Sequence, residues 1–184
     1  MPKLPALVLI DIQEGFHDPY WGNRNNPAFE KNAGQLLRFA RENSFPIYHV
    51  RHHSTEMNSP LRPDRAGVKF MHFIEPRANE PLITKQVNSA FIGTDLEAQL
   101  KTAGLTHLIL AGLTSDHCVS TTARMAKNLG FEVTVSSDAT ATFDRYSAEG
   151  TRFEAELVHH VSLASLNSEF ATVSSTTQII TSSY

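Results

Sequence analysis

Cys118 is the only cysteine in the 184-residue chain, and it lies where a nucleophile would be useful. It follows the apolar run 108–111 (LILA) and Gly112. Val119, Thr122, Ala123, Ala126 and Leu129 then recur at helical spacing until Gly130. The stretch reads as strand, sharp turn, helix. That places Cys118 at a helix N-terminus just past the carboxyl end of a buried strand, where free N–H groups and the helix dipole favour a thiolate and can hold an oxyanion. A lone cysteine can equally be a small buried hydrophobe. Two further residues decide between these readings. Asp11 closes the apolar run 6–11 (ALVLID), and Lys85 closes the shorter run 81–85 (PLITK). A carboxylate, an ammonium and a thiol brought to one rim would supply a nucleophile, its base and a cation to manage charge.

The elements that must position this trio alternate in type. After the first strand comes a loop, 13–22, with Phe16, Tyr20 and Trp21. Asn26 and Pro27 read as N-cap and first turn of a helix whose apolar stripe is Ala33, Leu36, Leu37 and Ala40. Strand 46–52 follows, giving a strand–helix–strand unit that needs a crossover between parallel strands. The segment 54–81, with Pro60, Pro63, Gly67, Pro76 and Pro81, is too long for an ordinary connection and reads as a substrate-covering excursion. Thr94 to Glu97 form a capping box for a helix ending at Gly104. Beyond the central stretch, the pattern predicts a strand over 131–136 and a loop over 138–150. A helix over 151–166 follows, with Phe153, Leu157, Val161 and Ala164 on its buried face, then a strand over 170–173 and a short helix over 176–180. Such alternation argues for one domain spanning 1–184, with a parallel sheet covered on both faces and ligands bound beyond the strands' carboxyl ends at the switch point.

Composition excludes several classes. Hydrophobic residues make up 41% and charged residues 19%, and the formal net charge of -3 offers no basic field for nucleic acid. One cysteine makes no internal disulfide and suits a reducing cytoplasm. Segment 1–5 and the apolar run behind it are too short for a signal peptide or a membrane span. The chain contains no G-x-G-x-x-G and no P-loop, so no nucleotide cofactor is expected, and the expected partner is a small-molecule substrate.

The ordered set of motifs resembles the isochorismatase-like hydrolases, also called cysteine hydrolases. The resemblance is carried by Asp11-Ile12-Gln13 with Gly15-Phe16, by KQVNSAF at 85–91, by Gly93-Thr94-Asp95-Leu96 with Leu100, and by Ala111 through Val119. Thr121, Thr122 and Ala123, Gly130 and the pair Asp138-Ala139 extend it over nearly the whole chain. It implies a three-layer α/β/α Rossmann-like fold with a mostly parallel sheet of about six strands. It implies Asp11, Lys85 and Cys118 as the catalytic trio, and a cis peptide between Leu113 and Thr114 that turns the Thr114 N–H alongside that of Cys118 as an oxyanion hole. It further implies a homo-oligomer, dimer or tetramer.

The implied reaction is acyl transfer: cysteine-dependent hydrolysis of an amide or carbamoyl C–N bond through a thioester. The alternatives are vinyl-ether hydrolysis of isochorismate, which needs no thiol, and a non-catalytic small-molecule binder. Phe16, Ser89 and Phe91 are candidate pocket residues, and Asn88 is taken as structural. His117 beside Cys118 invites a dyad, but neighbouring helical residues point about 100° apart. Nicotinamidases of this family hold a divalent metal through an Asp-x-His pair after the second strand and a later His. Here Arg51 stands at the Asp position, leaving His53 and His72, so no metal is expected.

Overall fold

A computed structural model of the chain describes residues 4–182; the expectation for the first three residues lies outside them. Among the described residues, β1 (Ala6–Ile10), β2 (Ile47–His52), β3 (Leu82–Lys85), β4 (His107–Leu113), β5 (Glu132–Ala141) and β8 (Thr172–Ser174) form one sheet. Its order is β3-β2-β1-β4-β5-β8, and every pairing is parallel. β1 is buried at every position because both faces of the sheet are covered. Alternation along β1 sends Ala6, Val8 and Ile10 into one core and Leu7 and Leu9 into the other. The first core is closed by α2 (Leu96–Thr102), α3 (Ser120–Asn128) and α4 (Ala155–Leu166); the second by α1 (Phe29–Glu42) and α5 (Thr176–Thr181). The three-layer α/β/α expectation therefore holds. Among the described residues, no helix is long and apolar enough to cross a membrane.

Several local expectations are corrected. The break at Gly112 is not a strand end: β4 continues to Leu113, and Gly112 pairs with Ile10 on one side and Thr140 on the other. β5 likewise runs on to Ala141, past a register shift opposite Leu110 and Gly112, so the predicted loop starts late. That loop folds into a hairpin, β6 (Arg145–Tyr146) with β7 (Arg152–Phe153), and α4 begins only at Ala155. The buried face of α4 is Ala155, His159, Leu163 and Leu166. Leu157 and Val161 are exposed at 53% and 59%. α4 is apolar on more than one face, so periodicity admitted two answers. The deciding anchor is polar: His159 Nδ1 and Nε2 lie 2.9 Å from Ser115 Oγ and 3.0 Å from the Ser137 carbonyl.

The N-cap expected at Asn26 does not form, and the capping box expected at Thr94 forms only in part. Asn26 adopts φ 51° and donates its side-chain amide to the carbonyls of Asp138 and Thr140, while α1 starts at Phe29. Thr94 donates its hydroxyl to the Ala90 carbonyl and accepts from the Leu96 N–H at 3.4 Å, at the start of α2. The excursion 54–81 is tied down next to Asp11. Met71 N–H donates to the Ile12 carbonyl, Glu14 N–H to the Lys69 carbonyl, and Leu61, Met71 and Ile74 are buried. Gly67 rests so closely on Gly15 that a Cβ would stand 2.7 Å from the Gly15 Cα.

Candidate active site

The sheet order changes direction between β1 and β4, and Asp11 and Cys118 flank that point. Asp11 is the first residue beyond β1. It takes the left-handed φ of 52°, its N–H donates to the Val50 carbonyl at 2.8 Å, and it is fully buried. Lys85 ends β3, two strands away, and is 1% exposed. Cys118 is 9% exposed and sits in a π turn, Ser115–Val119, between β4 and α3. The turn closes on Thr114, whose carbonyl accepts from the N–H groups of His117 and Val119. The bond Leu113–Thr114 is cis. The hydroxyl of Thr122 on α3 receives the Ala90 N–H, which holds the loop after β3 against the same turn.

The three predicted residues meet. Lys85 Nζ donates to Asp11 Oδ2 at 2.6 Å and to Cys118 Sγ at 3.3 Å. Burial works against charge on Lys85, but Asp11 and Cys118 outweigh it, hold its pKa above the usual lysine value and keep it an ammonium. For Cys118, burial and the Asp11 carboxylate push the pKa upward further than Lys85 pulls it down. The direction favours the thiol over the thiolate that its place near a helix start had suggested. The buried Asp11 Oδ1 has no hydrogen-bond partner, so the carboxylate keeps a free oxygen for a proton.

The candidate pocket residues separate. Ser89 and Phe91 lie on the loop after β3. The Ser89 hydroxyl accepts from the Phe91 N–H at 3.2 Å, and Phe91 stacks on Phe131 in the core that includes Cys118. Phe16 belongs to the opposite core, where its ring lies 4.9 Å from Trp21 and 6.0 Å from Phe143. His117 is turned outward, 3.4 Å from Asp116 Oδ2 with a side chain 55% exposed, which removes the dyad. Asn88 comes closer to the chemistry than sequence reading placed it, with Oδ1 3.8 Å from Cys118 Sγ. His52, to which sequence analysis assigns no role, also reaches the site: its Nδ1 lies 3.1 Å from Lys85 Nζ.

Residues 5–178 match the isochorismatase domain family. The chain belongs to the isochorismatase family. It is a hydrolase, as the members of that family are. This isochorismatase-family hydrolase is 41% identical to the family protein YrdC of Bacillus subtilis over 98% of its own length and 96% of that protein. It is 31% identical to streptothricin hydrolase of Streptomyces noursei over 76% of its length and 50% of the relative. The crystal structure of a hydrolase of the family from Chromobacterium violaceum superposes with a TM-score of 0.92 at 42% identity, covering 98% and 97% of the two chains.

The nicotinamidase-type metal set does not fit this family member. Arg51 donates to Thr84 Oγ1, and His72 is a 95% exposed side chain 3.5 Å from Glu75. Among the described residues, the group of metal-ligand types that does converge is Asp11, His52 and Cys118, with ligand atoms within 4.8 Å of one another. The Lys85 ammonium is hydrogen-bonded to all three.

Proposed function

We propose that this hydrolase cleaves a C–N bond of a small amide or carbamoyl compound through a thioester on Cys118. The observation that carries the reading is the buried Lys85 ammonium, shared between Asp11 Oδ2 and Cys118 Sγ. Asp11 takes the thiol proton on its free oxygen as Sγ attacks the carbonyl carbon. Lys85 remains protonated and offsets the thiolate. The N–H groups of Thr114 and Cys118 receive the oxyanion. As the tetrahedral species collapses, the C–N bond breaks and Asp11 returns its proton to the departing nitrogen. Water then gives a proton to Asp11 and its oxygen to the thioester carbon; as the C–S bond breaks, Asp11 returns that proton to Sγ, restoring the thiol and releasing the acid product. The loop bearing Asn88, Ser89 and Phe91 forms one wall of the substrate site. Phe16 supports the excursion side, and the excursion 54–81 covers the site.

Retention of a thiol hydrogen-bonded to the cation favours acyl transfer over vinyl-ether hydrolysis, which has no use for it. The test is ammonia release from a panel of small carboxamides, ureas and N-carbamoyl compounds, with isochorismate turnover followed alongside. Ammonia from a panel member supports the reading; isochorismate turnover without ammonia replaces it.

We also infer a homo-oligomer, placed on the exposed apolar stripe of Phe153, Leu157 and Val161 with Tyr146 of the hairpin beside it. A stripe along one helix can meet its own copy about a two-fold axis. A cytoplasmic setting, where the single thiol stays reduced, completes the reading.

A further inference from the structure

An ammonium has three N–H donors and no lone pair. Around Lys85 stand three side-chain acceptors: Asp11 Oδ2 at 2.6 Å, His52 Nδ1 at 3.1 Å and Cys118 Sγ at 3.3 Å. Two of them belong to the catalytic trio; the third does not. The sheet explains its presence. β2 lies between β1 and β3, and His52 is the register partner of Lys85. Adjacent strands are about 4.8 Å apart, so a lysine rooted on β3 must pass the end of β2 to reach Asp11. His52 stands on that passage.

We propose that His52 is a positioning residue of the active site: its unprotonated Nδ1 accepts the third N–H of Lys85 and thereby fixes the other two on Asp11 and Cys118. The ring is prepared for this. Its Nδ1 lies within hydrogen-bond distance of the Lys85 ammonium, which can only donate. Nδ1 therefore presents its lone pair to Lys85, and the ring proton belongs on Nε2. Its backbone is clamped in both directions by the fully buried Gln13, which accepts the His52 N–H at 2.8 Å and donates to the His52 carbonyl at 3.1 Å. Gln13 also donates to the Val68 carbonyl at 2.9 Å, joining His52 to the excursion. The charged and titratable groups facing the ring are Asp11 from β1, Lys85 from β3, Cys118 from the π turn and His53 beside it. Burial and the Lys85 charge together disfavour a proton on Nδ1. With an apolar group in place of His52, one N–H of a buried ammonium loses its acceptor and the ammonium reorients away from Sγ.

The assignment rests on Cys118 being the nucleophile, but its first test needs no substrate. Because the chain has one cysteine, the rate of alkylation by iodoacetamide at neutral pH reports Cys118 alone. His52→Leu is expected to slow alkylation about tenfold or more. His52→Asn, whose Oδ1 falls near the position of Nδ1, is expected to stay within about threefold of the unaltered protein. On a panel compound that releases ammonia, the His52→Leu loss falls on kcat with KM little changed. Should His52→Leu fail to fold, His52→Gln, whose amide is displaced by one bond, takes its place with the same expectation. Equal rates for all variants overturn the proposal, as does a His52→Asn protein as slow as His52→Leu. Ammonia release that survives Cys118→Ala would instead overturn the nucleophile reading, so the two failures are distinguishable.

Discussion

The Asp11 carboxylate and the Lys85 ammonium meet at 2.6 Å with both side chains fully buried, although their strands are separated by β2. A buried ion pair adds little net stability, because desolvation consumes most of the attraction. Removing one partner leaves the other charge stranded. The pair makes sense as a device for chemistry: Lys85 is held charged beside the thiol, and Asp11 keeps one oxygen free.

Asp11→Asn keeps the shape of the side chain and removes its basicity. Steady-state kinetics on a panel substrate should show kcat lower by about a thousandfold, the usual range for a lost general base. A decrease of less than tenfold would deny Asp11 its role in moving the proton.

Gly112 lies on β4 directly beside Ile10 of β1. A Cβ on Gly112 would collide with the carbonyl oxygen of Ile10, and its φ of 133° is one that other residues rarely adopt. Gly112→Ala should therefore destabilise the protein by about 3 kcal/mol or more, or prevent folding, as read by urea denaturation. A variant of unchanged stability would mean that β1 and β4 pack less tightly than described.

Glu80 lies under the other end of the sheet, bonded to Arg41 through both carboxylate oxygens, to His49 Nε2 and to the Arg77 N–H. Burial alone would raise its pKa, but these partners outweigh it and bring it from 4.5 to about 2. The folded value lies below the unfolded one, so this stabilisation is present above about pH 4.5 and is lost as pH falls toward 2. Glu80→Gln should lower stability at neutral pH by about 3 kcal/mol and flatten the acid limb of a plot of stability against pH. An unchanged acid limb would assign it to other carboxylates.

Legibility in the sequence followed the kind of signal available. The layers and the site were readable because β1 and β4 are uninterrupted apolar runs and each reactive residue stands at or beyond a strand end. The course of β5 past Ser136 was not, since Ser136, Ser137, Asp138 and Thr140 look like a loop until the bulge opposite Gly112 and the amide of Asn26 account for their hydrogen bonds. The buried face of α4 was misread because it is anchored by His159, a residue that apolar periodicity does not count. His52 carries no motif of its own, and its meeting with Lys85 depends on strand register, which no local pattern encodes.

The face of α4 left outside has its own consequence. Val161→Glu places a carboxylate in the middle of the exposed stripe. If the proposed homo-oligomer is seen for the unaltered chain by size-exclusion chromatography with light scattering, the variant should run as a monomer with its melting temperature little changed. An assembly that persists at its original mass would place the interface elsewhere.

The most direct measurement is the intact mass of the protein after acid quench during turnover of a panel substrate, with Cys118→Ala run beside it. The account predicts an added acyl mass on the unaltered chain, no adduct on Cys118→Ala, and loss of ammonia release in that variant. Turnover by Cys118→Ala within about tenfold of the unaltered enzyme, a difference of only about 1.4 kcal/mol in barrier, would contradict it.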